Sequence, residues 1–256
     1  MPAKGDTFEN YIEKLNLEHL FRQLNAPNPE SLAKAVKYFT IKEAKSRDKI
    51  VLNYFGKDGI NRLTDIICKF LLAQPRIPSN ANVLDVGAGT GFFTAAICRR
   101  IHEELPKVQF YALDATPAML AALEKRNVGI VPFIGIAENI KDSINEARKF
   151  FKIPREFDAA FSTLMLHHSV EPENVFRSIK EVLKRNGKTA IVDLCSHEFE
   201  EFKTEMNDVH MGFDPEDVYR MAQKHFSKVV IEVIEGIRCE CSGRSAQLFA
   251  ALLQNN

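Results

Sequence analysis

Excess charge of either sign is missing from this chain. Its 256 residues include 34 lysines and arginines and 34 aspartates and glutamates, so the formal net charge at pH 7 is zero. A balanced chain has no overall electrostatic attraction to nucleic acid or to anionic lipid. We therefore expect neither nucleic acid nor a membrane surface as a partner, unless a local basic patch provides one.

Long apolar runs are missing as well. The sequence holds no stretch of about 18 apolar residues, the length that a helix needs to cross a bilayer. Its first residues are polar and charged rather than signal-like. We therefore expect a cytoplasmic protein, of a length that suits one domain with an appended helical region.

Paired cysteines are the third absence. Five cysteines occur, an odd number, and no two of them form a Cys-x-x-Cys pair. We do not expect a disulfide framework, and buried, small, apolar side chains are the ordinary interpretation of these residues.

The most informative segment that is present covers residues 83–92, Val-Leu-Asp-Val-Gly-Ala-Gly-Thr-Gly-Phe. An apolar run that contains Asp85 ends in three alternate glycines, Gly87, Gly89 and Gly91, and passes directly into a helix-like stretch. This pattern predicts a strand, a tight turn and a helix N-terminus. Glycine suits such a turn because it adopts backbone angles closed to other residues, and because its missing Cβ lets a ligand approach the main chain.

The spacing of these glycines separates the known nucleotide-binding turns. Phe92 stands where a dinucleotide fingerprint has its third glycine, and no lysine follows the last glycine as a P-loop requires. The segment instead resembles the first motif of class I S-adenosylmethionine-dependent methyltransferases, in which an acidic residue precedes Gly-x-Gly-x-Gly. The resemblance implies that Asp85 is the motif acid and that the loop 87–91, including Ala88 and Thr90, binds the methionine part of the cofactor.

A second acidic residue, Asp114, closes the predicted strand 108–113, 23 residues after Gly91. A carboxylate at this strand tip can accept both ribose hydroxyls, and a spacing of about 20 residues is typical of nucleoside-binding sheets. We predict that Asp114 binds the ribose and that Ala115 contributes to the same site. The alternative is that residues 114–117 only begin a helix.

The predicted third strand, 130–134, leads into Ala137 and Glu138. This stretch resembles the adenine-binding segment of the same family, in which a backbone N–H and a carboxylate contact the ring. Ile136 replaces the usual aspartate, so the resemblance implies a backbone contact at Ala137 and leaves Glu138 to supply the carboxylate. A plain strand-to-helix loop is the alternative.

The predicted fourth strand ends at Thr163, which we assign to the cofactor site, and leads into Leu-His-His at 166–168. Methylases of exocyclic base amines or glutamine amides usually carry Asn/Asp-Pro-Pro-Tyr/Phe here. The absence of that tetrapeptide disfavours base amines as acceptors, and other RNA or protein targets stay open. His168, His167 and His197 are the candidate catalytic bases, because imidazole titrates near neutrality and all three follow strand ends. Structural hydrogen bonding is the alternative for each.

Alternating strands and helices predict an α/β fold. Residues 1–79 are predicted as a helical lid or substrate region and residues 80–256 as the cofactor domain. The resemblance implies a Rossmann-like seven-stranded, mostly parallel sheet of order 3-2-1-4-5-7-6, with the last strand antiparallel and helices on both faces. Tyr54 and Phe55 are candidate lid aromatics, or ordinary packing residues. The other predicted elements are helices 58–74, 171–185 and 215–225, strands 188–195, 228–236 and 245–253, and a capping box at 40–43.

Polar residues are dense after the fifth strand, where the sequence resembles a subset of small-molecule methyltransferases found beside metal- or metalloid-responsive regulators. These residues are Asp193, His197, Glu198, Glu200, Glu201, Asp208 and His210. They could ligate a divalent metal, but their spacing matches no tight motif such as His-Glu-x-x-His. We predict a solvated lid helix here and no metal site.

Arsenite methyltransferases share this broad fold and bind the metalloid through several cysteines. Cys239 and Cys241 would point to the same side of a strand, and Cys195 lies at the predicted sheet edge. Metalloid binding by these thiols is therefore an alternative to simple burial.

The resemblance as a whole implies methyl transfer from S-adenosylmethionine to a small-molecule acceptor by in-line displacement, with S-adenosylhomocysteine as product. We expect a monomer or a homodimer. Two alternatives stay open at this point. One is a nicotinamide-type oxidoreductase on a similar sheet, and the other is a non-catalytic module that binds the cofactor.

Overall fold

The structure is a computed structural model that describes residues 8–38, 41–206 and 208–255. Its helices are α1 (Phe8–Lys14), α2 (Leu17–Gln23), α3 (Pro29–Tyr38), α4 (Ile41–Leu72), α5 (Phe92–Glu104), α6 (Pro117–Glu124), α7 (Ile140–Ala147), α8 (Pro172–Val182), α9 (Glu200–Met206) and α10 (Pro215–Ala222). Its strands are β1 (Asn82–Val86), β2 (Gln109–Asp114), β3 (Ile130–Ile134), β4 (Phe157–Thr163), β5 (Leu183–Leu194), β6 (Lys228–Cys241) and β7 (Arg244–Gln254). No described helix combines the length and the apolar character that a bilayer crossing requires.

The seven strands form one sheet in the order β3-β2-β1-β4-β5-β7-β6. Strands β1 to β5 pair in parallel, whereas β7 pairs antiparallel with both β5 and β6. The predicted α/β fold, strand order and antiparallel last strand are confirmed. Strand order reverses between β1 and β4, and ligands of open α/β sheets bind at the carboxyl ends of the strands beside such a reversal.

Helices cover both faces of the sheet, so its central strands are buried on both sides. Every residue of β1 after Asn82 is buried, as are most residues of β5. The second half of α4 contributes Leu63, Ile67 and Leu71, none of which has any exposed surface. Their spacing of four residues places them on one helix face, and that face packs into the core.

Helix α4 is broken at Gly56, whose φ of 63° and ψ of 173° lie outside the helical region. Only glycine adopts these angles without strain. The sequence predicted a helix over 58–74, and the structure ends it at Leu72 and adds a preceding segment, residues 41–55, which we call the arm. Residue 40 of the predicted capping box lies outside the described residues.

Strand β5 differs from its prediction at its start. The helix expected over 171–185 ends at Val182, and β5 begins at Leu183. Asn186 has a φ of 61°, so the chain does turn where the Asn-Gly pair predicted a helix stop. The turn lies inside an irregularity in the β4–β5 pairing rather than after a helix.

The sheet edge and the last helix also depart from their predicted bounds. Strand β6 was predicted to end at Gly236 and continues to Cys241, because a register shift after Ile234 absorbs that glycine, whose φ is 69°. Helix α10 ends at Ala222 rather than at residue 225. Strand β7 extends one residue further at each end than the predicted 245–253.

A buried lysine joins β5 to the end of α4. The Lys188 side chain enters the core, and its Nζ donates hydrogen bonds to the carbonyl oxygens of Phe70 (2.7 Å) and Ala73 (2.9 Å). The same ammonium group lies 4.8 Å from the centroid of the Phe70 ring. Lys188 therefore supplies donors to carbonyls that the helix end leaves without partners.

We expect the substitution Lys188→Met to lower the free energy of unfolding by about 2 kcal/mol, because two hydrogen bonds from a charged donor to main-chain carbonyls are lost. Lys184→Met is the matched control, since Lys184 pairs with Asp158 at a half-exposed position; its cost should stay below about 1 kcal/mol. Urea unfolding measures both. Equal losses in the two variants would contradict the assigned role of Lys188.

Candidate functional site

The glycine loop after β1 folds back against the end of β2. The amides of Gly87 and Ala88 both donate to the carbonyl oxygen of Leu113, at 2.8 and 3.0 Å. The amide of Gly91 donates to the carbonyl of Ala88, and Gly91 then precedes the first turn of α5. The loop is thus a compact turn at the carboxyl end of the sheet, as the sequence predicted.

Two of the loop glycines have different surroundings. A Cβ at Gly87 would overlap the Met165 side chain, so close packing requires glycine there. A Cβ at Gly89 would meet nothing within 4 Å, although its φ of 54° also favours glycine. The main chain at Gly89 is therefore open on the side where a ligand can approach it.

Asp114 at the tip of β2 lies against this loop. Its Oδ2 accepts the amide of Gly89 (2.8 Å) and its Oδ1 accepts the amide of Thr116 (2.8 Å). Burial raises the pKa of Asp114, and these hydrogen bonds oppose the rise. The Thr116 hydroxyl and the Ala115 amide also act on this carboxylate. Because a carboxylate has about four acceptor positions, a ligand hydroxyl would replace one of these donors. Ala115 follows it at the same edge and is partly buried.

Asp85 in β1 is buried, with 1% of its surface exposed. Its Oδ2 accepts a hydrogen bond of 2.5 Å from the Thr94 hydroxyl, while its Oδ1 is buried and has no hydrogen-bond partner in the described part of the chain. Burial raises the pKa of Asp85 to about 7, the Thr94 hydroxyl lowers it, and nearby Asp114 raises it. A buried acceptor without a partner is costly unless a ligand donates to it.

Thr90 connects the glycine loop to the arm. Its hydroxyl donates to Asp48 (2.6 Å), and its carbonyl oxygen accepts from Arg126 Nε (2.7 Å). Arg126 also forms an ion pair with Asp48. The Thr90 hydroxyl is therefore bonded to the arm, and only the main chain of Thr90 is left to contact a ligand.

The predicted adenine-side residues lie beyond β3. Ala137 is buried and begins a short 3-10 turn, and Glu138 is half-buried. The Glu138 carboxylate accepts the Ser169 hydroxyl at 2.8 Å, which connects this turn to the segment after β4. Thr163 is the last residue of β4 and is half-buried at the same edge of the sheet.

His167 is fully buried and is held by Asp193 at the end of β5. Its Nδ1 lies 2.6 Å from Asp193 Oδ1, and Asp193 Oδ2 accepts the amide of Leu166 at 2.7 Å. Burial lowers the pKa of His167, but Asp193 and Asp208 outweigh it and raise that pKa above its ordinary value. The ring orientation is therefore set by its carboxylate partner.

Asp208 lies on the other side of the same imidazole. Its Oδ1 is 3.4 Å from His167 Nε2 and 4.0 Å from His168 Nδ1. Both Asp208 oxygens are buried without a hydrogen-bond partner in the described ranges. Burial raises the pKa of Asp208 to about 6, although the charge of His167 lowers it.

His168 and His197 have different surroundings from His167. The His168 side chain is 32% exposed, with its ring 4.1 Å from that of His167. His197 accepts the amide of Phe199 at Nδ1, and its ring stacks on the Phe199 ring at 5.4 Å. Burial, followed by the charge of His167, lowers the pKa of His197. His197 is thus the candidate base most enclosed by aromatic packing.

The polar residues after β5 fall into two sets with different surroundings. Asp193 and Asp208 meet at His167, and the amide of His210 donates to the His167 carbonyl oxygen (2.9 Å). Glu200 and Glu201 begin the short helix α9, where Glu201 pairs with Arg244. A solvated helix therefore describes only part of this segment.

The cysteines are buried free thiols. Cys239 and Cys241 lie on one side of β6, and burial raises the pKa of Cys241 to about 12. Cys241 contacts the Tyr54 hydroxyl and the Glu205 carboxylate, the latter at 3.1 Å. Cys195 directly follows β5, and its main chain forms an isolated parallel β-bridge with that of Phe213.

The candidate lid aromatic Phe55 packs in the core, with its ring centroid 6.4 Å from that of Phe93.

Asp48, Arg126 and Arg47 were missed by the sequence reasoning. Asp48 and Arg126 bond the glycine loop, and Arg47 is close enough to lower the pKa values of His167 and Asp208. Arg47 and Asp48 lie on the long helix α4, where charged residues ordinarily face solvent, and Arg126 lies in the turn after α6, so no pattern separated them from their neighbours.

Comparison with known families places the observed fold in context. Residues 77–226 match the sequence model of a family described as "Methyltransferase domain", which covers more than half of the chain. A highly reducing polyketide synthase from Aspergillus nomiae is 28% identical over 209 residues, 75% of this chain. The chain spans 8% of the length of the curated relatives it matches.

Two solved structures show the same fold at low identity. Phosphoethanolamine N-methyltransferase 2 from Haemonchus contortus, in complex with S-adenosyl-L-methionine, has a TM-score of 0.60 and 15% identity, with 100% of this chain and 62% of that chain covered. A SAM-dependent methyltransferase from Aquifex aeolicus has a TM-score of 0.53 and 18% identity, covering 85% of this chain and 100% of that chain. These likenesses show a common fold.

The raised pKa of Asp85 predicts a pH-dependent stability. Between its ordinary value of 3.8 and about 7, the folded protein keeps a proton that the unfolded chain has released. The free energy of unfolding should therefore fall as the pH rises through this window, by at most about 4 kcal/mol.

Asp85→Asn should lack this component, so its stability relative to the wild type should increase from pH 4.5 to pH 7.5 in urea unfolding without ligand. Asp217→Asn, at an exposed position of α10, is the control. Parallel stability curves for wild type and Asp85→Asn would show that Asp85 is ionised across the whole range.

Proposed function

We propose, since this chain belongs to the methyltransferase domain family, that it transfers the methyl group of S-adenosylmethionine to a small-molecule acceptor. The observation that carries the proposal is the loop at Gly89, where an open main chain lies beside the Asp114 carboxylate and the unpartnered oxygen of Asp85. An ammonium group, two ribose hydroxyls and a thioether are the groups such a site can accommodate. In the described part of the chain, no lysine and no series of free main-chain amides that could bind a diphosphate lies beside these groups.

Each carboxylate has a separate use in this proposal. Asp85 Oδ1 would accept the ammonium group of the cofactor, directly or through a water molecule, which satisfies a buried acceptor. Asp114 would accept the ribose hydroxyls while it keeps its bond to the Gly89 amide. Ala137 would contact the adenine through its main chain, and Glu138 would approach the same ring from the Ser169 side.

The acceptor would bind beyond the end of β4, where the segment Leu166 to His168 follows Thr163. The arm covers this edge of the sheet through the bond of Asp48 to Thr90, so the helices before β1 act as the lid. A site that includes the buried His167 and Asp208 side chains suits a metabolite better than a nucleic-acid strand. The names of the relatives, a polyketide synthase and a phosphoethanolamine methyltransferase, also refer to small molecules.

The bound cofactor supplies an electrophilic methyl on a sulfonium. What the chain supplies is alignment of the acceptor behind that methyl and exclusion of water, and proximity of this kind accounts for much of the acceleration in two-reactant enzymes. His167 is fixed by Asp193 and cannot turn away. His167 and His168 therefore form the polar wall on the acceptor side, and His197 is a more remote candidate.

Asp114→Ala should weaken the binding of S-adenosylhomocysteine at least tenfold, which is on the order of 1.4 kcal/mol, because the ribose loses its acceptor. Isothermal titration calorimetry measures the effect. Asp217→Ala on the exposed face of α10 should bind as the wild type does. Unchanged affinity in Asp114→Ala would remove the ribose assignment, and saturable binding of reduced nicotinamide cofactor would favour an oxidoreductase.

The acceptor class can be identified with methyl-labelled cofactor in a fractionated cell extract. We expect label in the small-molecule fraction when the wild-type protein is added and none with a Gly89→Val variant, whose side chain would fill the open approach. Label in RNA or in protein would contradict a small-molecule acceptor. Tight S-adenosylhomocysteine binding without label in any fraction would indicate a module that binds but does not transfer.

A further inference from the structure

Three possible metal ligands lie together after β4: His167, His168 and Asp208 each offer one ligand atom, and these atoms lie within 4.8 Å of one another. Asp208 Oδ1 is 3.4 Å from His167 Nε2 and 4.0 Å from His168 Nδ1. Two of these side chains, His167 and Asp208, are buried, with 0% and 5% of their surface exposed. The cluster is therefore an interior site and not a chance gathering of surface charges.

The buried atoms of this cluster lack hydrogen-bond partners. His167 Nε2 and both oxygens of Asp208 are orphaned among the described residues. His167 Nε2 and Asp208 Oδ1 face each other at 3.4 Å, which is longer than an ordinary N–H···O hydrogen bond. Leaving such groups unsatisfied costs free energy, so their persistence points to an occupant that binds all of them at once.

The second nitrogen of His167 is already committed. Its Nδ1 lies 2.6 Å from Asp193 Oδ1 and donates to that oxygen, so in the neutral ring the lone pair is on Nε2. Histidines that bind metal ions almost always donate their other N–H to a carboxylate or carbonyl in this way. Asp193 is itself held by the amides of Leu166 and Leu194, so the imidazole is pre-oriented.

The distances suit a small ion. A tetrahedral ion bound at about 2.1 Å by each ligand places its ligand atoms about 3.4 Å apart. The separation of His167 Nε2 and Asp208 Oδ1 has this value, and His168 Nδ1 is 4.0 Å from the same oxygen. His168 is partly exposed, so a small rotation of its ring would complete the set.

We propose that His167, His168 and Asp208 bind one divalent transition-metal ion of the zinc or cobalt class. A set of two imidazole nitrogens and one carboxylate suits zinc or cobalt better than it suits calcium or magnesium. Three protein ligands leave a fourth position open, as in catalytic zinc sites. This proposal departs from the sequence prediction of no metal site, because the spacing along the chain did not show that Asp208 reaches the histidines after β4.

The binding itself does not depend on the proposed methyl transfer. A catalytic role of the ion does depend on the proposed methyl transfer. In that role the open position would hold an oxygen or nitrogen of the acceptor, and the ion would polarise it. The two proposals can fail separately, because metal binding is measured here without cofactor and S-adenosylhomocysteine binding is measured on chelator-treated protein.

The test titrates chelator-treated full chain with Zn²⁺ by calorimetry and with Co²⁺ by visible absorption. We expect one equivalent of either ion per chain, with the absorption of four-coordinate Co²⁺ and an increase in the thermal midpoint that grows with ion concentration. Asp208→Asn and His168→Ala should each weaken binding at least tenfold. Neither carboxylate oxygen of Asp208 has a hydrogen-bond partner within the described ranges, and asparagine has nearly the same size, so we expect Asp208→Asn to fold.

Asp208→Asn gives a second readout that a purely structural carboxylate would not. Added Zn²⁺ should raise the thermal midpoint of the wild type and leave that of Asp208→Asn unchanged. His197→Gln is the matched control, since His197 lies near His167 but outside the three ligands; it should keep the full equivalent. Cys241→Ser should also keep it.

Two outcomes would overturn the proposal. One is the absence of stoichiometric Zn²⁺ or Co²⁺ binding by the wild-type chain. The other is binding that survives in Asp208→Asn but is lost in Cys241→Ser or His197→Gln, which would place the ion on other residues.

Discussion

The carboxylate of Asp193 is the constraint on which the segment after β4 depends. It accepts the amides of Leu166 and Leu194 and the imidazole of His167, and the whole group is excluded from solvent. A buried carboxylate is stable only when such donors surround it. The segment after β4 is therefore tied to the end of β5, and the position of His167 is a consequence of the sheet and not of a mobile loop.

The glycine loop lies beside two carboxylates of a different kind, one buried and one half-buried. Asp114 accepts main-chain amides and supports the loop, whereas buried Asp85 has one oxygen without a hydrogen-bond partner among the described residues. The two residues lie towards the carboxyl ends of adjacent parallel strands. The topology thus brings together acidic groups that are distant in sequence, and the difference between them follows from which donors the main chain provides.

The sheet and the cofactor loop were predictable because their information is local. Short apolar strands, alternate glycines and an acidic residue at each strand tip are read within windows of ten residues, and together with the family resemblance they gave the strand order. Element ends were less predictable. Asn186 does turn the chain, but the turn lies inside strand β5 as an irregularity in its pairing with β4. Such an irregularity depends on the neighbouring strand and not on the local sequence.

The meeting of Asp208 with His167 could not be derived from the sequence. It depends on the path of the chain after β5, where the amides of Val209 and His210 both donate hydrogen bonds to the carbonyl oxygen of His167. The bond from Thr90 to Asp48 is of the same kind, because it joins the glycine loop to a helix far earlier in the chain. Contacts of this sort arise from tertiary packing and leave no periodic signal.

The break at Gly56 has a thermodynamic meaning beyond its geometry. One half of α4 is anchored in the core by Leu63, Ile67 and Leu71, while the other half, the arm, reaches the glycine loop through Asp48. The helix is interrupted between them, so the direction of the arm is set by its own contacts and not by continuation of the anchored half. If arm docking alters the affinity of the loop for its ligand, ligand binding must alter arm docking by the same free energy, and occupancy of the loop would then be coupled to the position of the arm.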